Sequence, residues 1–195
     1  MRRTLSLAAL LVAVPATLAA QDKTLLGNGI SSSGGMGGPV LKVSKVAGTS
    51  SIFMGGRGGW VINRKFILGG GGWGLTNENI RASDIGDGRA RLQMGYGGLE
   101  LGYMHDVSRL VHWSGHLLLG GGGASWDPPA AASDNEETSF AVVEPELHLV
   151  LNVTSFFRIG AGASYRVVTG PGLREVSGKD LSGAAGVLVF KFGAF

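Results

Sequence analysis

The densest grouping of chemically capable side chains lies in His112-Trp113-Ser114-Gly115-His116 and, further on, in Glu144-Pro145-Glu146-Leu147-His148. If both segments are strands, alternation puts His112, Ser114 and His116 on one face of the first and Glu144, Glu146 and His148 on one face of the second. Nucleophilic catalysis needs such a set, with a serine hydroxyl in reach of a histidine that a carboxylate orients. His112, Ser114, His116, Glu146 and His148 are therefore the candidates, although packing of polar groups in an interior explains the same residues more economically, and no catalytic set is assigned. Imidazole with carboxylate also suits zinc, but residues four apart on a strand are separated by roughly 13 Å, so neither a metal nor a cofactor is expected. Glycine runs supply no phosphate cradle, because none opens a helix and the stretch from Gly172 to Lys179 lacks P-loop spacing, with Asp180 where Ser or Thr belongs.

The elements that position these residues follow an export signal. Arg2 and Arg3 precede an apolar run from Leu5 to Leu18, and Leu18-Ala19-Ala20-Gln21 is a small-residue cleavage pattern, which together predict a signal peptide over residues 1–20. Gln21 stands where a lipoprotein would carry cysteine. Without Arg2 and Arg3, 15 Lys and Arg stand against 14 Asp and Glu, scattered along the chain, so no nucleic-acid partner is expected. With no cysteine, an exported domain of this size must close by burial and backbone pairing alone.

Residues 21–37, with Ser31-Ser32-Ser33-Gly34-Gly35, read as a flexible tail, and residues 38–195 as one barrel domain. Within that domain, strand-like runs fall at about 39–47, 51–63, 65–75, 89–104, 109–123, 140–152, 156–168 and 183–195. They reach the roughly 9 to 11 residues of a tilted membrane strand, beyond the 5 to 6 usual in soluble proteins. Their period is two: Phe157, Ile159, Ala161, Ala163, Tyr165 and Val167 alternate with Arg158, Gly160, Gly162, Ser164 and Arg166. After a short first hairpin at Ala47 to Ser50, tight connections (Asn63-Arg64, His105 to Ser108, Asn152 to Ser155) alternate with long ones (76–88, 124–139, 169–182). Short turns at one end and long loops at the other are the asymmetry of outer-membrane barrels, with the turns periplasmic and the loops extracellular. The sequon Asn152-Val153-Thr154 then falls in a periplasmic turn, where glycosylation is not expected.

Lipid on the apolar parity leaves Arg57, Arg91, Glu100, Glu144, Glu146, His148, Arg158, Arg166 and Lys191 for the lumen, joined by His112 and His116, where paired opposite charges should plug the interior. Trp60, Trp73, Tyr96, Tyr103, Trp113 and Tyr165 are expected as membrane-interface anchors. The last segment ends on Phe190-Lys191-Phe192-Gly193-Ala194-Phe195; Phe195 differs in parity from Phe190 and Phe192 unless Gly193 forms a bulge. This resembles the terminal strand of bacterial outer-membrane barrels, whose final Phe is an assembly signal. Leader, strand run, loop order and final Phe together resemble the small eight-stranded barrels of the OmpA-transmembrane-domain and OmpX kind, over roughly residues 38–195.

The resemblance implies an all-β, antiparallel up-and-down barrel in the outer membrane. It also implies outer-membrane lipids, lipopolysaccharide and the barrel-assembly machinery as partners. The function expected is non-enzymatic, structural or surface-directed through the long loops, with the extracellular partner undefined. The alternatives are a lipid A-modifying acyl hydrolase or transferase, as some similar barrels are, and a secreted soluble β-sandwich.

Overall fold

A computed structural model describes residues 32–76, 80, 91–127, 137–170, 173 and 176–195. They form eight antiparallel strands that close into a barrel in chain order: β1 (Ser33–Val46), β2 (Thr49–Ile62), β3 (Phe66–Leu75), β4 (Arg91–Met104), β5 (Val111–Asp127), β6 (Glu137–Asn152), β7 (Phe157–Thr169) and β8 (Gly183–Gly193). Closure pairs β8 with β1, which removes both sheet edges. The signal peptide and residues 21–31 of the expected tail lie outside the described residues. The end of that tail is corrected: Ser33 to Gly37 belong to β1, paired with Ile62 to Gly58 of β2, because even a glycine-rich segment gains a full ladder beside a strand. Similarly β5 runs on to Asp127 and β6 begins at Glu137, which trims the second long connection at both ends.

Alternation sets the two faces. In β6 every second residue from Thr138 to Val150 is buried and those between are exposed, so the greasy parity faces outward. Leu99, Leu147, Leu149 and Met54 are each more than half exposed, and large apolar side chains cover all sides of the barrel. Water would not tolerate so continuous an apolar belt on a monomer; hydrocarbon would.

The turns explain the register. Ala47 and Gly48 both have positive φ and close β1 onto β2 in a two-residue loop whose twist matches the strands. Asn63 and Arg64 also have positive φ, in a three-residue turn between β2 and β3 in which Lys65 donates its amide to Ile62 O at 3.1 Å. At the other short connections Arg109 donates back to Asp106, and Thr154 Oγ1 accepts from the amide of Phe157 at 3.0 Å. Two prolines interrupt the ladders because they lack an N–H: Pro145 between β6 and β7, and Pro39 at the β1–β8 seam.

The described part of the third long connection packs back onto the barrel. Its one-turn helix α1 (Gly178–Leu181) is started by a capping box in which Ser177 N donates to Asp180 Oδ2 at 2.9 Å and Asp180 lies in reach of the Ser177 hydroxyl. Those bonds hold the Asp180 carboxyl below its ordinary titration range. Leu181 is wholly buried in the mouth, joined by Leu173, Val176 and, from the first long connection, Ile80. They pack on Phe53, Leu92, Trp126, Phe140 and Val168 to form an apolar plug at the long-loop end. Ala47 N donates to Asp180 O at 2.9 Å, so α1 is tied across to the first hairpin.

Candidate functional site

Below the plug the interior is polar, and each group there is set by an inward position on a strand. Lys42 (β1), Arg57 (β2), Glu100 (β4), Ser114 and His116 (β5), Glu144, Glu146 and His148 (β6), Ser164 and Arg166 (β7) and Lys191 (β8) are all buried. The cations Lys42 and Arg57 find their partners across the barrel, whereas the hydroxyl and imidazole contacts lie within a strand or between neighbouring ones. Lys42 Nζ lies 2.9 Å from Glu144 Oε1 and 3.2 Å from Glu146 Oε2, with the Trp73 ring centroid 3.7 Å away. Arg57 donates to Glu146 and, at 3.2 Å, to Glu100. Glu146 Oε1 also faces His148 Nε2 at 2.6 Å. The Ser164 hydroxyl donates to Glu144 at 2.5 Å. Buried charges are tolerable only in such company, since an isolated one would cost several kcal/mol.

Nearer the short turns, Glu100 Oε1 lies 2.6 Å from His116 Nδ1, and His116 Nε2 lies 3.3 Å from Ser114 Oγ. The order carboxylate, imidazole, hydroxyl is that of a nucleophilic triad. Two features oppose that use. Ser114 has no exposed surface, and Lys191 Nζ donates to its oxygen at 3.2 Å while standing 3.2 Å from His116 Nε2. A hydroxyl closed in on all sides cannot meet an acyl carbonyl. Of the sequence candidates, His112 lies apart from this set and Glu146 serves His148 and the cations, so the orienting carboxylate is Glu100.

Of the lumen residues expected from sequence, Arg57, Glu100, Glu144, Glu146, His148, Arg158, Arg166 and Lys191 are buried inward, as are His112 and His116. Arg91 is corrected: it is exposed on the outer parity beside inward Leu92, at the first position of β4, where the rim allows a charge to reach polar surroundings. Lys42 was missed, although Leu41 and Val43 on either side mark it as inward. Arg166 has no carboxylate among its described partners; its Nε donates to Leu181 O at 2.8 Å and its guanidinium lies over Phe53, 4.6 Å from the centroid.

The aromatic assignments divide. Trp60, Trp113 and Tyr165 are exposed outward and Tyr103 is half-buried among Phe66 and Trp113, its ring centroid 5.5 and 5.7 Å from theirs. Trp73 and Tyr96 are corrections: both lie inside, 5.4 Å apart, where glycines leave the volume their rings need, Gly71 sitting directly beside the Trp73 indole. Phe195 keeps the inward parity of Lys191, without the register shift a bulge at Gly193 would give. Its ring packs at the short-turn mouth against Met36, Val61, Ile67 and Met104.

No family model matches the chain, and no curated protein matches it in sequence. Among solved structures it is similar to Neisserial surface protein A, with a TM-score of 0.59 and 14% identity over 85% of this chain and 98% of that one. It is also similar to the N-terminal β-barrel domain of Pseudomonas aeruginosa OprF, with a TM-score of 0.55 and 10% identity over 83% of this chain and 96% of the other. At these identities the likeness is one of fold, that of small eight-stranded outer-membrane barrels.

Proposed function

From the fold it shares with the small outer-membrane barrels, we propose that this chain is a non-enzymatic resident of the outer membrane, with its short turns in the periplasm and its long connections outside. The observation that carries the reading is the filled interior. An apolar plug at one end and a cross-barrel ion network behind it leave the strands' outer face and the loops as the surfaces for partners. Lipopolysaccharide and other outer-membrane lipids contact the apolar belt and the rim, where Arg91 stands. The long connections 76–88, 124–139 and 169–182 carry the surface-directed role, and of them 77–79, 81–88, 128–136, 171–172 and 174–175 lie outside the described residues. The last strand, ending at Phe195, is offered to the assembly machinery.

Two measurements test this. Membrane fractions should hold the protein in the outer membrane in a form whose gel mobility shifts on heating, and planar bilayers containing it should show conductance at the background level. Recovery of the mature chain as a detergent-free soluble species, or discrete channel steps, would overturn the reading.

A second reading, a lipid A-modifying acyl hydrolase or transferase, is favoured by one observation, the Glu100–His116–Ser114 line. Mass spectra of lipid A from cells with the wild-type chain, with Ser114→Ala and without the protein should be identical. An acyl chain gained or lost only with the wild-type chain would establish the enzyme instead.

A further inference from the structure

At the short-turn end the interior holds cations without acids. Arg158 on β7 stands directly across from Lys191 on β8, and on its other side across from Asn152 on β6. His112 on β5 lies one inward row further along, across from Val150 of β6, which faces Gly160 of β7. Among the described residues no carboxylate lies within ion-pair distance of Arg158 or Lys191, since Glu100 and Glu146 are engaged by Arg57, His116 and His148.

Arg158 and His112 are 4% and 5% exposed, and their polar atoms point to a ligand. Nε and Nη1 of Arg158 are buried with no hydrogen-bond partner, and the His112 ring interacts with the Arg109 backbone but has neither nitrogen in a well-formed hydrogen bond. The only described group over the guanidinium is the Phe195 ring, 3.8 Å to the centroid, which supplies attraction but no acceptor. Asn152 gives both N–H bonds away, to Val107 O at 2.9 Å and Arg109 O at 2.7 Å, and its Oδ1 is left as a buried acceptor without a donor. Unpaired buried charges and donors are costly, and a planar guanidinium beside an imidazole is the donor set that a compact oxyanion satisfies.

We propose that the short-turn mouth of the barrel is an oxyanion site that takes a phosphate. Arg158 donates through Nε and Nη1, His112 through its ring N–H, and Asn152 Oδ1 accepts the O–H of a hydrogen phosphate. Lys191 adds positive charge from the next strand, and the Phe195 ring lies over the guanidinium. The proposal needs no channel, because the ligand enters and leaves by the one mouth.

The probe is inorganic phosphate on the full chain refolded in detergent micelles, with sodium chloride at matched ionic strength and pH as the reference. Phosphate should raise the urea midpoint of unfolding, read by tryptophan fluorescence, along a saturating curve. Arg158→Gln should still fold to the heat-modifiable form, be at least as stable as the wild type in chloride, and need at least tenfold more phosphate for half its effect. His112→Asn should weaken the response several-fold, and Lys45→Gln, exposed on β1 at the opposite end of the barrel, should leave it unchanged. Backbone amide shifts of Arg158, Gly160 and Lys191 should follow the same curve in the wild-type barrel, a readout independent of any variant's folding. Coincident phosphate and chloride curves, unmoved amides, or an undiminished response in Arg158→Gln would overturn the site.

Discussion

Alanine at Gly98 should cost about 3 kcal/mol or more of folding stability, among the largest effects of any single methyl group in this barrel. The added Cβ would stand 2.3 Å from Leu119 O and 2.6 Å from the Cα of Gly120 on the neighbouring strand. Both contacts are backbone, so no rotamer change relieves them and β4 and β5 would have to separate. Gly120→Ala meets the reciprocal obstacle, 2.1 Å from Gly97 O. These inward glycines face each other across the ladder and let two strands coil tightly enough to close a barrel of eight. Gly74 provides the contrast, since a Cβ there meets nothing within 4 Å and Gly74→Ala should be close to neutral. Urea titration of the three variants in lipid vesicles checks the difference. Equal midpoints for Gly98→Ala and Gly74→Ala would show that glycine is used for composition rather than for space.

Truncating Glu146 should be comparably damaging, about 3 to 5 kcal/mol, for an electrostatic reason. Its carboxylate is shared by Arg57, Lys42 and His148, and Glu146→Ala leaves two buried cations with one fewer acid between them. Much of that cost comes from the stranded cations rather than from the lost bonds. Removing a cation along with the acid should therefore recover a large part of it. Glu146→Leu combined with Arg57→Met is expected to be more stable than Glu146→Leu alone, and a double-mutant cycle measures the coupling. If the double variant is no better than the sum of the singles, the lumen is wet enough to solvate Arg57 and the plugged reading fails with it.

The positions of the strands were legible because lipid and lumen impose opposite demands on alternating residues. β6 shows this most clearly, with valine and leucine outward and Glu144, Glu146 and His148 inward. Parity is the better guide where side-chain chemistry points the other way. Trp73 and Tyr96 share the inward parity of Ile67 and Glu100, yet their ring chemistry suggested an interface position. Arg91 was drawn inward by its charge, although inward Leu92 beside it says otherwise. Pairings across the lumen could not be read at all, because which acid meets Arg57 depends on strand tilt and on the stagger of closure, not on sequence distance. The docking of α1 in the mouth was equally hidden, for Leu173, Val176 and Leu181 are spaced like ordinary loop residues.

The hydrogen bond from Ala47 to Asp180 acquires meaning from where it lies. The β1–β8 seam joins the two ends of the sheet, and Pro39 leaves it with an interrupted ladder. At the long-loop end, α1 reaches over that seam from the β7–β8 side and fastens to the turn between β1 and β2. The plug is thus also a clasp: a force pulling β1 from β8 must extract Leu181 from its apolar seat before the strands can unzip from that end.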